Sequence, residues 1–181
     1  MTTRQPGEGR YARLEREQRW LLRELPAGLR DERIIVDHYW SGTSLRLRMV
    51  QHDDDIVYKL CQKVRLDEDS PEMVKITNIY LHERDFHALS VTPAAIISKS
   101  RWSLTSDGAD FAIDEFKGRH AGLVLAEKEL PADEPRTQGP EFALAEVTDD
   151  DEYTGGWLAT ASATDLRRVI GRVSGDVHES R

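Results

Sequence analysis

With 181 residues, the chain is long enough for one domain with a sizeable core and too short for two comfortable ones. It is 39% hydrophobic and 32% charged with a formal net charge of −8, which fits a soluble globular protein and argues against a general nucleic-acid binder, although a local basic cavity is compatible with it. The single cysteine, Cys61, excludes an internal disulfide; the opening "MTTRQPGEGR" lacks the apolar core of a secretory signal, and no stretch reaches 18 apolar residues, so the expectation is a cytoplasmic protein without nucleic-acid or membrane partners.

Residues 1–10 read as a mobile polar tail and 11–175 as one domain. "RLEREQRWLL" (13–22) alternates for several residues, and "SLRLRMV" (44–50) alternates more cleanly, with Leu45, Leu47 and Met49 opposite Arg46 and Arg48. "QHDDD" (51–55) is a turn. "IVYKLCQKV" (56–64) places Lys59, Cys61 and Lys63 on one face, "RLDEDSPE" (65–72) turns again, and "MVKITNIYL" (73–81) is strand-like in its β-branched content. "HERDFHALSV" (82–91) predicts a helix. Strand character resumes at "AAIISKSRWSL" (94–104), at "ADFAIDEF" (109–116) after the turn "SDG", at "AGLVLAEKEL" and, after a loop at 131–140, at "FALAEVT" (142–148). "SATDLRRVIGRV" (162–173) predicts a second helix, capped by Ser162 or Thr164, with Leu166, Val169, Ile170 and Val173 as its apolar stripe. This is an α+β chain, mainly β, with about eight strands joined by hairpin-length turns and therefore mainly antiparallel.

The polar faces of these strands are sorted by charge. Glu15 pairs with Glu17, Arg46 with Arg48, Lys59 with Lys63, Lys99 with Arg101 and Glu127 with Glu129. A solvated face mixes its polar residues. Sorted faces suit a sheet closed into a barrel whose interior is charged and whose apolar exterior packs on helices. Acids on some strands would take cations and bases on others would take anions, which suits a metal complex of a polyphosphate.

"LAEKEL" (125–130) sharpens the point. On a helix Glu127 and Glu129 splay apart; on a strand they share a face about 7 Å from each other. Two carboxylates on one buried face repel unless a cation sits between them. The strand reading, with Lys128 turned away, therefore implies a cation.

Taken in order, these stretches resemble the CYTH family, the triphosphate tunnel metalloenzymes. The family's Glu-x-Glu-x-Lys opening stands here as "EREQR", with Arg19 in the lysine's place. "LRLR" (Leu45–Arg48), "KLCQK" ending at Lys63, "SKSRW" with Lys99 and Arg101, "DEFKG" with Asp114, "GLVLAEKEL" with Glu127 and Glu129, and "EVTDDDEYTGGWLA" from Glu146 to Ala159 follow. The resemblance implies an eight-stranded antiparallel closed β-tunnel with outer helices. It implies divalent-metal-dependent hydrolysis of a triphosphate, with Mg²⁺ or Mn²⁺ as the hard ion that oxygen ligands prefer.

On that basis Arg19, Arg46, Arg48, Lys63, Lys99 and Arg101 bind phosphate, joined by Lys59, which shares the face of Lys63. Glu15, Glu17, Asp114, Glu127, Glu129 and Glu146 are the metal candidates, and Glu127, Glu129 and Lys63 the catalytic ones. Many relatives carry two alternate glutamates where this chain has "VKITN", and Ala112 stands where an acid is common. The expected substrate is inorganic tripolyphosphate; a non-catalytic triphosphate or polyphosphate binding module is the alternative, and adenylate cyclisation ranks third because no base-reading motif is visible. Cys61, the histidines and "DDDE" (149–152) read as structural or solvated. A homodimer is compatible with the sequence.

Overall fold

The computed structural model describes residues 5–66 and 72–175, with side chains up to Arg172. Its strands are β1 (Arg13–Leu22), β2 (Arg30–Tyr39), β3 (Leu45–His52), β4 (Asp55–Arg65), β5 (Met73–Leu81), β6 (Ala95–Ser106), β7 (Ala109–Phe116), β8 (Val124–Glu129) and β9 (Ala143–Glu146). The helices are α1 (Glu83–Ser90), α2 (Gly155–Thr160) and α3 (Ala163–Gly175). Hydrogen-bonded neighbours run β5-β4-β3-β2-β6-β7-β8-β1, and a further β5–β1 pairing closes the ring into an eight-stranded antiparallel barrel. Closure uses the first part of β1, with Arg13 opposite Ile76 and Arg16 opposite Met73.

Strand membership differs from the sequence reading at two places. The sequence pattern places 142–148 among the wall strands and marks no strand at 30–39. The structure puts β2 between β3 and β6, while β9 pairs with the second half of β1 as an extra short strand. "RDERIIVDHY" hides its strand behind charged residues and a register shift between Arg30 and Arg33, next to Asp31 at φ 54°. The β6–β7 hairpin matches its sequence signal: Asp107 and Gly108 both take positive φ (50° and 75°), as a tight right-twisted turn requires. Of the turn expected at 65–72, residues 67–71 lie outside the described set, as do residues 1–4 of the expected tail. Within 5–10, Gly7 is buried against Lys75 and Val64.

Side chains alternate between the interior and the outside. On the outside, Trp20, Leu22, Leu104, Phe111, Ile113, Val124 and Ala126 form one apolar cluster. It is covered by Leu25, Leu29 and Phe142 from connecting segments rather than by a helix. Helix α1 covers another part of the wall through Phe86, whose ring lies 4.6 Å from Tyr58 and 5.9 Å from His38. Along the inward-facing rows, Leu21, Ile97, Phe116 and Leu125 join Tyr153, Leu158, Leu166 and Val169 in a second cluster. That cluster ties α2 and α3 to the barrel. Helix α3 is capped as its sequence predicts, with Ser162 Oγ accepting from Asp165 N at 3.1 Å. Among the described residues, no helix is long and apolar enough to cross a membrane.

Candidate functional site

The barrel encloses a cavity of about 500 Å³ whose wall carries the sorted charged rows. Glu15, Glu17 and Arg19 come from β1, Arg46 and Arg48 from β3, Lys59 and Lys63 from β4, Lys99 and Arg101 from β6, and Glu127 and Glu129 from β8. The period of two brings each pair to one face, and the antiparallel register sets the rows side by side. Arg48 lies opposite both Lys59 and Asp37, and Arg19 lies opposite Glu127.

Much of this charge is paired within the wall. Asp37, 1% exposed, accepts two hydrogen bonds from Arg48, each 2.6 Å, and lies 3.7 Å from Arg46. Burial alone would push the Asp37 carboxyl up; Arg48 and Arg46 outweigh it and hold it well below the usual carboxylate range. Asp114 sits beneath Lys99 and Arg101, accepting from Arg101 Nε and Nη2, each at 2.6 Å, and from the Lys99 ammonium. Glu127 accepts from Arg19 Nε at 3.1 Å and from Arg101, and these guanidiniums overcome burial and keep it ionised. The result is a lattice in which each acid fixes the orientation of two basic side chains.

The acids around Glu15 behave differently. Glu17 and Glu129 are directly opposed across β1 and β8, and Glu15 is two residues from Glu17 on the same face. Directly opposed like charges destabilise a sheet. Lys63 reaches Glu17 at 3.3 Å, and Arg19 lies 3.7 Å from it. Burial, followed by repulsion from Glu17, raises the Glu15 carboxyl, with Glu129 adding to the effect and Lys63 opposing it. Among the described residues, no group of three or more Asp, Glu, His or Cys side chains stands close enough together to hold a metal ion by itself. The donors at this corner, Glu15, Glu17 and Glu129, are all oxygen, so a hard divalent cation held there would have to complete its coordination with other ligands.

The remaining expected site residues take varied places. Lys59 lines the cavity beside Arg48, and its ammonium is lowered by burial and then by Arg48 and Arg46. Asp114 is fully buried beneath the basic side chains. Glu146 lies away from the cavity on β9, bonded to Gln18 (3.1 Å) and Thr148 (2.8 Å) and 3.6 Å from Arg136. Cys61 is buried and accepts from Arg46 at 3.3 Å. The cavity face of β5 is Val74, Ile76 and Asn78, so Thr77 points outward. Asn78 Oδ1 and Arg46 Nε are buried without hydrogen-bond partners among the described residues.

Sequence reasoning missed Asp37, Tyr39 and Arg65, all of which line the cavity. For Asp37 the signal was present: an acid inside the β-branched run "IIVDHY" has few uses on a strand except to meet bases. For Arg65 there was none, because its role depends on what the chain places opposite it.

Comparisons agree with this geometry. No protein-family model matches the chain. Over 58 residues it is 38% identical to an inorganic triphosphatase of Acetivibrio thermocellus, a stretch that spans 32% of this chain and only 37% of that relative. The crystal structure of the inorganic triphosphatase NE1496 superposes with a TM-score of 0.57 at 24% identity, covering 82% of this chain and 95% of the other. A second crystal structure of NE1496 gives a TM-score of 0.56 at 25% identity, covering 80% and 97%. The chain has the triphosphate tunnel fold of the CYTH family. In this tunnel the inward rows of acids and bases are the rows that the sequence motifs name.

Proposed function

We propose that the tunnel binds a triphosphate and hydrolyses it with a divalent metal ion, Mg²⁺ or Mn²⁺, and that the substrate is inorganic tripolyphosphate. The observation that carries this reading is the uneven charge of one cavity: a preoriented lattice of bases beside a crowded corner of carboxylates. Such a cavity suits a polyanion that arrives with its own cation. The inorganic triphosphatases to which the chain is similar support the same substrate class.

In this reading Arg46, Arg48, Lys59, Lys63, Lys99, Arg101 and Arg19 hold the phosphates. Arginine offers two parallel hydrogen bonds to phosphate oxygens and lysine a point charge. Asp37, Asp114 and Glu127 keep the guanidinium planes in place before the ligand arrives, which removes an ordering cost from binding. Glu15, Glu17 and Glu129 hold the metal. Mg²⁺ is usually bound through one or two carboxylates together with substrate phosphates, so an incomplete protein ligand set is what a shared site needs. When bound, the ion supplies charge neutralisation and Lewis-acid polarisation of the phosphoryl oxygens. Lys63, bonded to Glu17, stands between the two regions and can follow charge as it moves to the leaving phosphate. Phosphoryl transfer needs positioning and electrostatic stabilisation more than covalent help, and no nucleophilic side chain is required.

Phosphate release from tripolyphosphate with Mg²⁺ or Mn²⁺, followed by phosphorus NMR, tests the reading. EDTA should stop it, and Glu129→Gln should nearly abolish it while the fold persists. Hydrolysis that continues in EDTA would defeat the metal mechanism. A second reading has its own observation: the cavity face of β5 carries no acid, only Val74, Ile76 and Asn78. A module that binds a triphosphate or polyphosphate without turnover would raise the melting temperature with tripolyphosphate and release no phosphate.

A further inference from the structure

The acidic run 149–152 reads in sequence as a solvated loop, and the proposed reaction makes no use of it. In the structure each of its acids is ion-paired. Asp149 meets Arg136 at 2.5 Å, Asp150 meets Arg172 at 3.1 Å, Asp151 meets Arg65 at 2.6 Å, and Glu152 meets Arg168 and, at 2.9 Å, Arg172. The run leads directly into Tyr153, Thr154, Gly155 and Gly156, which line the cavity. Gly155 is pressed on the Tyr39 hydroxyl so closely that a Cβ there would collide with it. The ion pairs therefore clasp this cap to β4 through Arg65, to the 131–140 loop through Arg136 and to α3 through Arg168 and Arg172.

Of the clasping arginines, Arg65 is the one that lines the cavity. Its pair with Asp151 is also unlike the wall pairs. The two side chains are 35% and 65% exposed, against 10% and 1% for Arg48 and Asp37. An exposed pair is worth little, because water screens it and two long side chains lose freedom. A guanidinium hydrogen-bonded to a charged phosphate oxygen at the cavity gains more than such a pair. The magnitudes favour exchange at Arg65. At Arg48 they do not, because a buried carboxylate would be left without its partner.

We propose that Arg65 is a further phosphate-binding residue of the tunnel, and that Asp151 of the cap competes with phosphate for its guanidinium. A polyanion in the cavity takes Arg65 from the clasp, while Arg136, Arg168 and Arg172 keep the cap seated. The inference rests on the reading that the tunnel binds a triphosphate.

Calorimetric titration with tripolyphosphate and Mg²⁺ tests it, using the wild type, Arg65→Ala, Asp151→Asn, the double variant and Asp149→Asn. The last makes the same charge change on the cap without touching Arg65. Arg65→Ala should bind about tenfold more weakly, the low end for a charge-assisted bond at a rim. Asp151→Asn should bind more tightly by about two- to fivefold, the value of the exposed pair it removes. That gain should vanish in the double variant and be smaller in Asp149→Asn. A wild type that binds no tripolyphosphate would sink the triphosphate reading and this inference with it. A wild type that binds, with Arg65→Ala unchanged or Asp151→Asn no tighter than Asp149→Asn, would sink this inference alone. Thermal melts of each variant confirm that the folded protein is being titrated.

Discussion

The base lattice and the carboxylate corner occupy one cavity and are built from the same alternation, yet they have opposite energetics. Around Asp37 and Asp114, burial strips water from charges that then find short, well-aligned partners. Around Glu15, Glu17 and Glu129, the first two half-buried and the third exposed, carboxylates line up beside one another, and only Glu17 is paired, with Lys63 and Arg19. The first region is complete within the protein and serves as a template. The second is less satisfied within the protein, and in the proposed reading a cation would relieve it. A binding site is thus more visible in its unresolved electrostatics than in its satisfied pairs.

The harshest way to break the template is Asp37→Ala. It leaves Arg46 and Arg48 buried without their carboxylate and should cost about 3–5 kcal/mol of stability, read by denaturant unfolding. A loss below about 1 kcal/mol would mean that water reaches these guanidiniums and the lattice is not closed. Because the Asp37 carboxyl is held low, its stabilising contribution is present at pH values above its unfolded value of 3.8 and is lost as pH falls through the folded one. The difference between wild type and variant should therefore shrink in acid.

A gentler cut is Arg46→Ala, which leaves Asp37 paired with Arg48. Tripolyphosphate binding should weaken by about 1.5–3 kcal/mol, measured by calorimetry. Unchanged affinity would remove Arg46 from the phosphate-binding set.

The corner should respond in the opposite sense. Glu15→Gln removes a charge whose folded pKa is raised above 4.5, so ionisation of Glu15 opposes folding. With metal absent, the variant should melt higher than wild type near neutral pH, by about 0.2–1 kcal/mol on the scale of an unfavourable cross-strand pair. The gain should disappear below the unfolded value of 4.5, where both side chains are neutral. With Mg²⁺ and tripolyphosphate the order should reverse, because the variant has lost a ligand. A variant less stable than wild type at neutral pH would show that Lys63 outweighs the crowding.

Asn78 offers the finest adjustment, since it faces the cavity with an unsatisfied Oδ1 on a strand that brings no acid. Asn78→Glu should raise metal affinity or turnover, and Thr77→Glu, on the outer face, should do neither. A fast native enzyme that Asn78→Glu slows would mean that the neutral β5 wall serves the reaction as it stands.

Alternation in the sequence determined which residues share a face, and charge sorting determined that the shared faces look inward. Those two properties are local, so the closed barrel and its inward rows Glu15–Glu17, Arg46–Arg48, Lys59–Lys63, Lys99–Arg101 and Glu127–Glu129 were legible without coordinates. Helices α1 and α3 were legible for the same reason, with Ser162 and the apolar stripe of α3 within a few turns of each other, whereas α2, which opens on Gly155 and Gly156, reads in sequence as a turn. Partnership was not legible. Whether a carboxylate meets a base or another carboxylate depends on register between strands far apart in the chain, and a period of two carries no information about register. Only the tertiary structure decided that Glu127 falls against Arg19 and Arg101, that Glu129 falls opposite Glu17, and that Glu146 is carried outside by β9. Only it could bring Asp151 to Arg65 across 86 residues of sequence.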